Sequence, residues 1–215
     1  MSILTLVKPL SQLKEERRIS RENAVEIAGL RLLRGSTVEF AGATSTGKTG
    51  YVNAILAKLT NDGEVCAVID TSDSFDPVSA NAAGVVPENL LWVRCGGDIE
   101  SAMKSGDLLL QAKGFGAVWI NFGRLSQGSL SYVPNSFWYR FRTLVKGSPT
   151  LLLVTAKYPV MGSAAQHSYA FSATKCVWKG ESKFKLIKEF RVSIGTRQPM
   201  PPVIARMEQK YLPDG

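Results

Sequence analysis

Residues 42–49 read Gly-Ala-Thr-Ser-Thr-Gly-Lys-Thr, which fits G-x-x-x-x-G-K-[ST]. This pattern works only where a buried strand feeds the loop and a helix leaves it. Small residues let successive backbone N–H groups converge on a phosphate, and the helix adds its positive N-terminal dipole. Lys48 would reach the β- and γ-phosphates, and the Thr49 hydroxyl would hold Mg2+. Gly42, Ala43, Thr44, Ser45, Thr46, Gly47, Lys48 and Thr49 are therefore the candidate nucleotide-binding residues, with ATP and Mg2+ the candidate ligands.

The flanking sequence supplies both elements. Thr37–Ala41 reads as a strand, and from Lys48 onward Val52, Ile55, Leu56 and Leu59 form one helical stripe. Asn61-Asp62-Gly63 stops that helix. Val65–Asp70, Leu90–Val93, Ala117–Asn121 and Thr150–Thr155 are apolar runs of strand length. Helical patterns fill 77–84, 98–113 and 135–146 between them. This alternation predicts an α/β phosphate-loop (P-loop) fold, a mostly parallel central sheet flanked by helices. Past Ala170, Ala173–Trp178, Phe184–Phe190 and Val192–Ile194 read as short strands that extend the sheet antiparallel near the C-terminus. Three regions follow: a helical N-terminal segment over 1–34, spaced on Leu10, Leu13, Ile19, Val25 and Ile27; the core over 35–197; and a proline-bearing extended tail over 198–215.

Composition narrows the function classes. Apolar residues make up 45% and charged residues 20%, ordinary for a globular protein. No apolar run is long enough to span a bilayer, and the first residues lack the order of a signal peptide, so the expected location is cytoplasmic. Cys66, Cys95 and Cys176 lie far apart and read as reduced thiols, while a single histidine, His167, leaves little for a zinc site. The net charge of +8 is unevenly spread: residues 1–110 carry 11 Lys/Arg against 14 Asp/Glu, residues 111–215 carry 15 against 4. A basic second half favours contact with a polyanion such as nucleic acid, or else it is a solubilising surface.

From Val38 to Lys157 the chain resembles the RecA recombinase core. The resemblance rests on the Gly42–Thr49 loop, on Val68-Ile69-Asp70-Thr71-Ser72-Asp73-Ser74-Phe75-Asp76-Pro77, on Gly84-Val85 and Asn89-Leu90-Leu91, and on Thr150–Val154. It implies a RecA-like fold, and it also marks departures. Ser72 stands where the recombinases position the attacking water with a glutamate, Asn121 where they carry a metal-associated aspartate, and Lys157 near their nucleotide-sensing glutamine. Losing two acids removes orders of magnitude in rate, so the expected ATPase is weak or absent. Asp70 and Asp73 are the remaining acids near the site, read either as substitutes or as turn and cap residues.

Short degenerate chains of this kind resemble the ImuA group, bacterial accessory proteins of damage-induced mutagenesis. That resemblance implies an accessory role in the DNA-damage (SOS) response and translesion synthesis, with a Y-family polymerase homologue and RecA as partners and single-stranded DNA as a further contact. A DNA-dependent ATPase or recombinase paralogue, and a cell-division inhibitor of the SulA type, are the alternatives. Phe137-Trp138-Tyr139-Arg140-Phe141-Arg142 is the most aromatic stretch. Phe137 and Phe141 are expected in the core, and Trp138 with Arg142 on another face, meeting protein, DNA or neither. The Gly/Ser/Ala-rich segment 158–169 is expected to be mobile. Lys157, Lys175, Lys179, Lys183, Lys185 and Lys188 would line a phosphate-binding face or protect a sheet edge.

Overall fold

The computed structural model describes residues 23–123, 125–179, 186–196 and 203–208. A mixed eight-stranded sheet dominates them. It is built from β3 (Thr37–Ala41), β4 (Cys66–Asp70), β5 (Leu90–Arg94), β6 (Ala117–Asn121), β7 (Leu151–Ala156), β8 (His167–Lys179), β9 (Leu186–Thr196) and β10 (Val203–Glu208). The spatial order is β10-β9-β8-β3-β7-β6-β4-β5. From β5 to β3 every pairing is parallel, and β8 begins parallel to β3 over His167–Ala170. It then runs beyond β3 and pairs antiparallel with β9, which pairs antiparallel with β10. The expected architecture is thus present, a mostly parallel sheet with antiparallel strands at the C-terminus.

Strands β3, β4, β6 and β7 are buried at every residue, as continuous apolar runs require when both faces of a sheet are covered. Alternation divides their side chains. Val38, Phe40, Val68, Trp119, Leu151 and Leu153 face α1 (Lys48–Asn61), which contributes Tyr51, Val52, Ile55, Leu56 and Leu59. The short α2 (Pro77–Ala82) adds Ala80 to this layer. Ile69, Val118, Ile120, Leu152 and Val154 face the other layer, made by α3 (Ile99–Ala112), α4 (Gln127–Ser131) and α5 (Asn135–Val145).

Four expectations change. Residues 24–33 are not helical but a hairpin of β1 (Ala24–Ile27) and β2 (Leu30–Leu33). Ala28 and Gly29 adopt φ of 40° and 85°, the left-handed pair that a two-residue hairpin loop needs. Val25, Leu30 and Leu32 are buried, and the Tyr51 hydroxyl donates to the Ile27 carbonyl at 2.6 Å. Second, Trp138 is 1% exposed and packs edge-on against Phe122 and Phe141. The inward stripe of α5 is Trp138, Phe141 and Val145, with Phe137 and Leu144 half-buried beside it.

Third, the segment after β7 is tied down. Glu39, fully buried on β3, accepts hydrogen bonds from the N–H groups of Val160 (2.6 Å) and Met161 (2.9 Å) and from the Ser168 hydroxyl (2.7 Å). The Thr37 hydroxyl donates to the Ala164 carbonyl at 2.8 Å, and Met161 and Ala164 are buried. Fourth, the tail beginning at residue 198 contains β10, so the sheet continues beyond residue 197. Residues 1–22, and with them Leu10, Leu13 and Ile19, lie outside the described residues, as do Lys183 and Lys185.

The burial of Trp138 makes a direct prediction. Trp138→Ala should cost about 3–5 kcal/mol in urea unfolding, whereas Arg142→Ala should cost under about 1 kcal/mol. Equal small losses would contradict the inward stripe.

Candidate nucleotide site

The parallel strands end on one edge of the sheet, and there the loop after β3 meets the ends of β4, β6 and β7. A cavity of about 370 Å³ opens at this point, lined by Thr44–Thr49, Ser74, Asn121, Gly123 and Thr155. Gly42 and Ala43 are not among the residues that line it. The Gly42 N–H donates to the Ala156 carbonyl at 3.2 Å, which clamps the start of the loop to β7. Gly47, at φ 85°, turns the chain into α1, a conformation glycine takes without strain.

Lys48 folds back over this loop. Its ammonium donates to the carbonyls of Gly42 and Ala43 (2.7 Å for Ala43) and to the Thr46 hydroxyl at 3.3 Å. Burial holds its pKa below the ordinary lysine value. All three acceptors are neutral, so the whole positive charge remains available to an anion in the cavity. Thr49 is exposed and lines the same space, as do the exposed Thr44 and Ser45.

The far wall is a closed chain of hydrogen bonds. The Trp119 indole N–H donates to the Thr155 hydroxyl at 2.9 Å, which donates to Asn121 Oδ1 at 3.0 Å. Asn121 Oδ1 also accepts from the Gly123 N–H at 3.0 Å, and Asn121 Nδ2 donates to the Ser74 hydroxyl at 3.0 Å. Both lone pairs of Oδ1 are therefore taken. Among the sequence-derived candidates, Asn121 reaches the cavity, but as a structural amide.

Neither expected substitute acid lines the cavity. Asp70 is fully buried and accepts from the N–H groups of Ser74 (3.1 Å) and Phe75 (2.8 Å), so it anchors the turn after β4. Asp73, in that turn at φ 50°, is exposed and pairs with Arg94 at 2.9 Å. Asp70 thus closes β4 and Asp73 stands in the turn after it. Mg2+ prefers an all-oxygen shell with carboxylates in it. The cavity lining offers hydroxyls, with Thr44, Ser45 and Thr49 exposed, but no carboxylate, so the residues present do not fit a tightly held metal.

Sequence reasoning missed Ser74, Gly123 and Thr155. Thr155 carried a signal, a polar residue ending an otherwise apolar parallel strand, where ligands of open α/β sheets bind. Ser74 and Gly123 become neighbours only through the register of β4 with β6. The remaining candidates are dispersed. Arg140 forks onto both carboxylate oxygens of Asp107, Arg142 donates to the Ser163 carbonyl at 3.0 Å, and Lys157 lies over the Tyr158 ring. Lys175 and Lys179 lie on β8 and Lys188 on β9. His167 stacks on Tyr169, Cys66 and Cys95 are free thiols, and no cluster of metal-ligating side chains occurs among the described residues. None of the described helices is long and apolar enough to cross a membrane.

A glycine-bounded loop, a lysine folded over it and a parallel sheet ending around it define a P-loop α/β domain. More narrowly, the chain belongs to the RecA N-terminal domain family, which residues 13–121, just over half of it, match. It is 45% identical over 58 residues to Protein RecA of Chloroflexus aurantiacus, covering 27% of this chain and 16% of that protein. Protein RecA of Roseiflexus castenholzii gives the same identity over 58 residues, with 27% and 16% covered. For Protein RecA of Clostridioides difficile the identity is 40% over 73 residues, covering 34% and 20%. The chain thus spans one fifth or less of the length of these relatives.

The placement of the two acids is checkable by urea unfolding. Asp70→Ala should lose about 2 kcal/mol or more, because it strands buried N–H groups. Asp73→Ala should lose no more than about 1 kcal/mol, as exposed pairs do.

Proposed function

We propose that this protein is a RecA-related accessory factor of the bacterial DNA-damage response. It binds ATP in the Gly42–Thr49 cavity as a structural or switching ligand and hydrolyses it little. The observation that carries this reading is an intact phosphate loop whose facing wall, Ser74, Asn121, Gly123 and Thr155, contains no carboxylate. Loop amides and Lys48 suit a polyphosphate. Without an acid to orient water or hold a metal, the wall gives hydrolysis little support.

The action then falls to binding. The second half of the chain holds 15 Lys/Arg against 4 Asp/Glu, which suits single-stranded DNA or an acidic partner surface. By its likeness to the ImuA group, the partners are a Y-family polymerase homologue and RecA itself, in translesion synthesis in the cytoplasm. With Trp138 buried, the partner-facing residues on α5 reduce to Tyr139, Arg140 and Arg142, all exposed.

ATP titration and phosphate release, with and without single-stranded DNA, test this reading. Wild type should bind ATP, Lys48→Ala should not, and turnover should lie about a thousandfold or more below an active recombinase. DNA-stimulated turnover at recombinase rates, lost in Lys48→Ala, would sink it. Pull-downs with the polymerase homologue and with RecA test the partners, and recovery of neither would remove the accessory role.

A further inference from the structure

The hydrogen bonds of the far wall have a fixed polarity. The Trp119 indole and the Gly123 N–H can only donate, so they orient every group between them. Thr155 accepts from the indole at 2.9 Å and donates its own hydrogen to Asn121 Oδ1, which the Gly123 N–H also meets, both at 3.0 Å. The amide is thereby turned with Nδ2 toward Ser74, 3.0 Å away. A carboxamide nitrogen carries two hydrogens. One is on Ser74, and the second meets no acceptor among the described residues.

Asn121 is 4% exposed and lines the cavity together with Lys48. With both lone pairs of Oδ1 taken and one hydrogen spent, a single N–H is what it has left to offer. The Ser74 oxygen adds no acceptor, because it already receives Asn121 Nδ2 and, at 3.3 Å, the Ser72 hydroxyl. A metal-bound water is a hydrogen donor and needs an acceptor from this wall, whereas a bare phosphate oxygen needs a donor. Lys48 and the loop N–H groups are donors from the opposite side. A buried N–H without a partner is costly, and an anionic oxygen satisfies it more strongly than a neutral one.

We propose that Asn121 donates directly to a phosphate oxygen, and that the cavity takes a nucleoside triphosphate in its metal-free form. This inference rests on the reading of the cavity as a nucleotide site. Lys48 supplies charge from the loop side, and Asn121 supplies a fixed donor from the β6 side. Trp119, Thr155 and Gly123 set that donor in place before any ligand arrives, so binding requires no reordering of the wall. An aspartate at 121 would invert the preference, because a carboxylate repels a bare phosphate and suits a hard cation.

Calorimetric titration with ATP in EDTA and in excess MgCl2, on wild type and Asn121→Asp, tests this. Wild type should bind ATP with a Kd that changes less than about threefold between the two buffers. Asn121→Asp should weaken ATP about tenfold or more in EDTA and recover most of that loss in MgCl2. A merely structural role for Asn121 would weaken ATP equally in both buffers. That result overturns the proposal, as does an Asn121→Asp protein that binds ATP like wild type in EDTA. Unfolding curves check that the variant folds. Should it not fold, wild type decides alone: ATP binding that depends about tenfold or more on Mg2+ overturns the proposal and leaves the nucleotide site standing. Failure of wild type to bind ATP in either buffer overturns both.

Discussion

The polar chain from Trp119 through Thr155 and Asn121 to Ser74 closes the carboxyl edge of the three central strands. A buried polar group without a partner is costly, so each of these residues is placed by its neighbour's need. Asp70 finishes the arrangement by holding the turn that carries Ser74. The network fixes the shape of the cavity's far wall. It also uses up the groups that could have touched a metal or a water. Rigidity and chemical inertness in this wall have the same origin.

The opposite wall behaves differently. The Gly42–Thr49 loop is held by backbone contacts, and its charged residue, Lys48, rests on neutral oxygens. One side of the cavity can therefore respond to an anion while the other stays fixed. Glu39 links the responsive side to the segment after β7. It lies on the strand that feeds the loop, and its carboxylate receives the N–H groups of Val160 and Met161. A shift of β3 against β7 would be felt on both sides of that carboxylate.

Much of the fold was legible because buried parallel strands are continuous apolar runs. Thr37–Ala41 and Ala117–Asn121 could be bounded to the residue. The misses have physical causes. Val25 and Ile27 suit a helix face as well as a strand face, and only the Ala28-Gly29 turn decides between them. On α5, the set 137, 141, 144, 145 and the set 138, 141, 145 are both helical stripes. Packing against Phe122 selects the second, and no local signal does. The phosphate loop was visible because it is contiguous. Ser74, Gly123 and Thr155 were not, because strand register alone assembles the wall they form with Asn121.

Gly42 has a further meaning. A Cβ placed there would come within 2.4 Å of the Phe171 carbonyl oxygen, on the strand that leads into the antiparallel extension. The first glycine of the loop is thus demanded by the crossing of two backbones, whether or not a phosphate is ever bound. Gly47 is likewise demanded by its left-handed turn into α1. A chain could abandon its ligand and still keep both glycines as architecture. For domains of this kind, the glycines of the signature testify to the fold, and the lysine and threonine after them are the residues from which a ligand can be inferred.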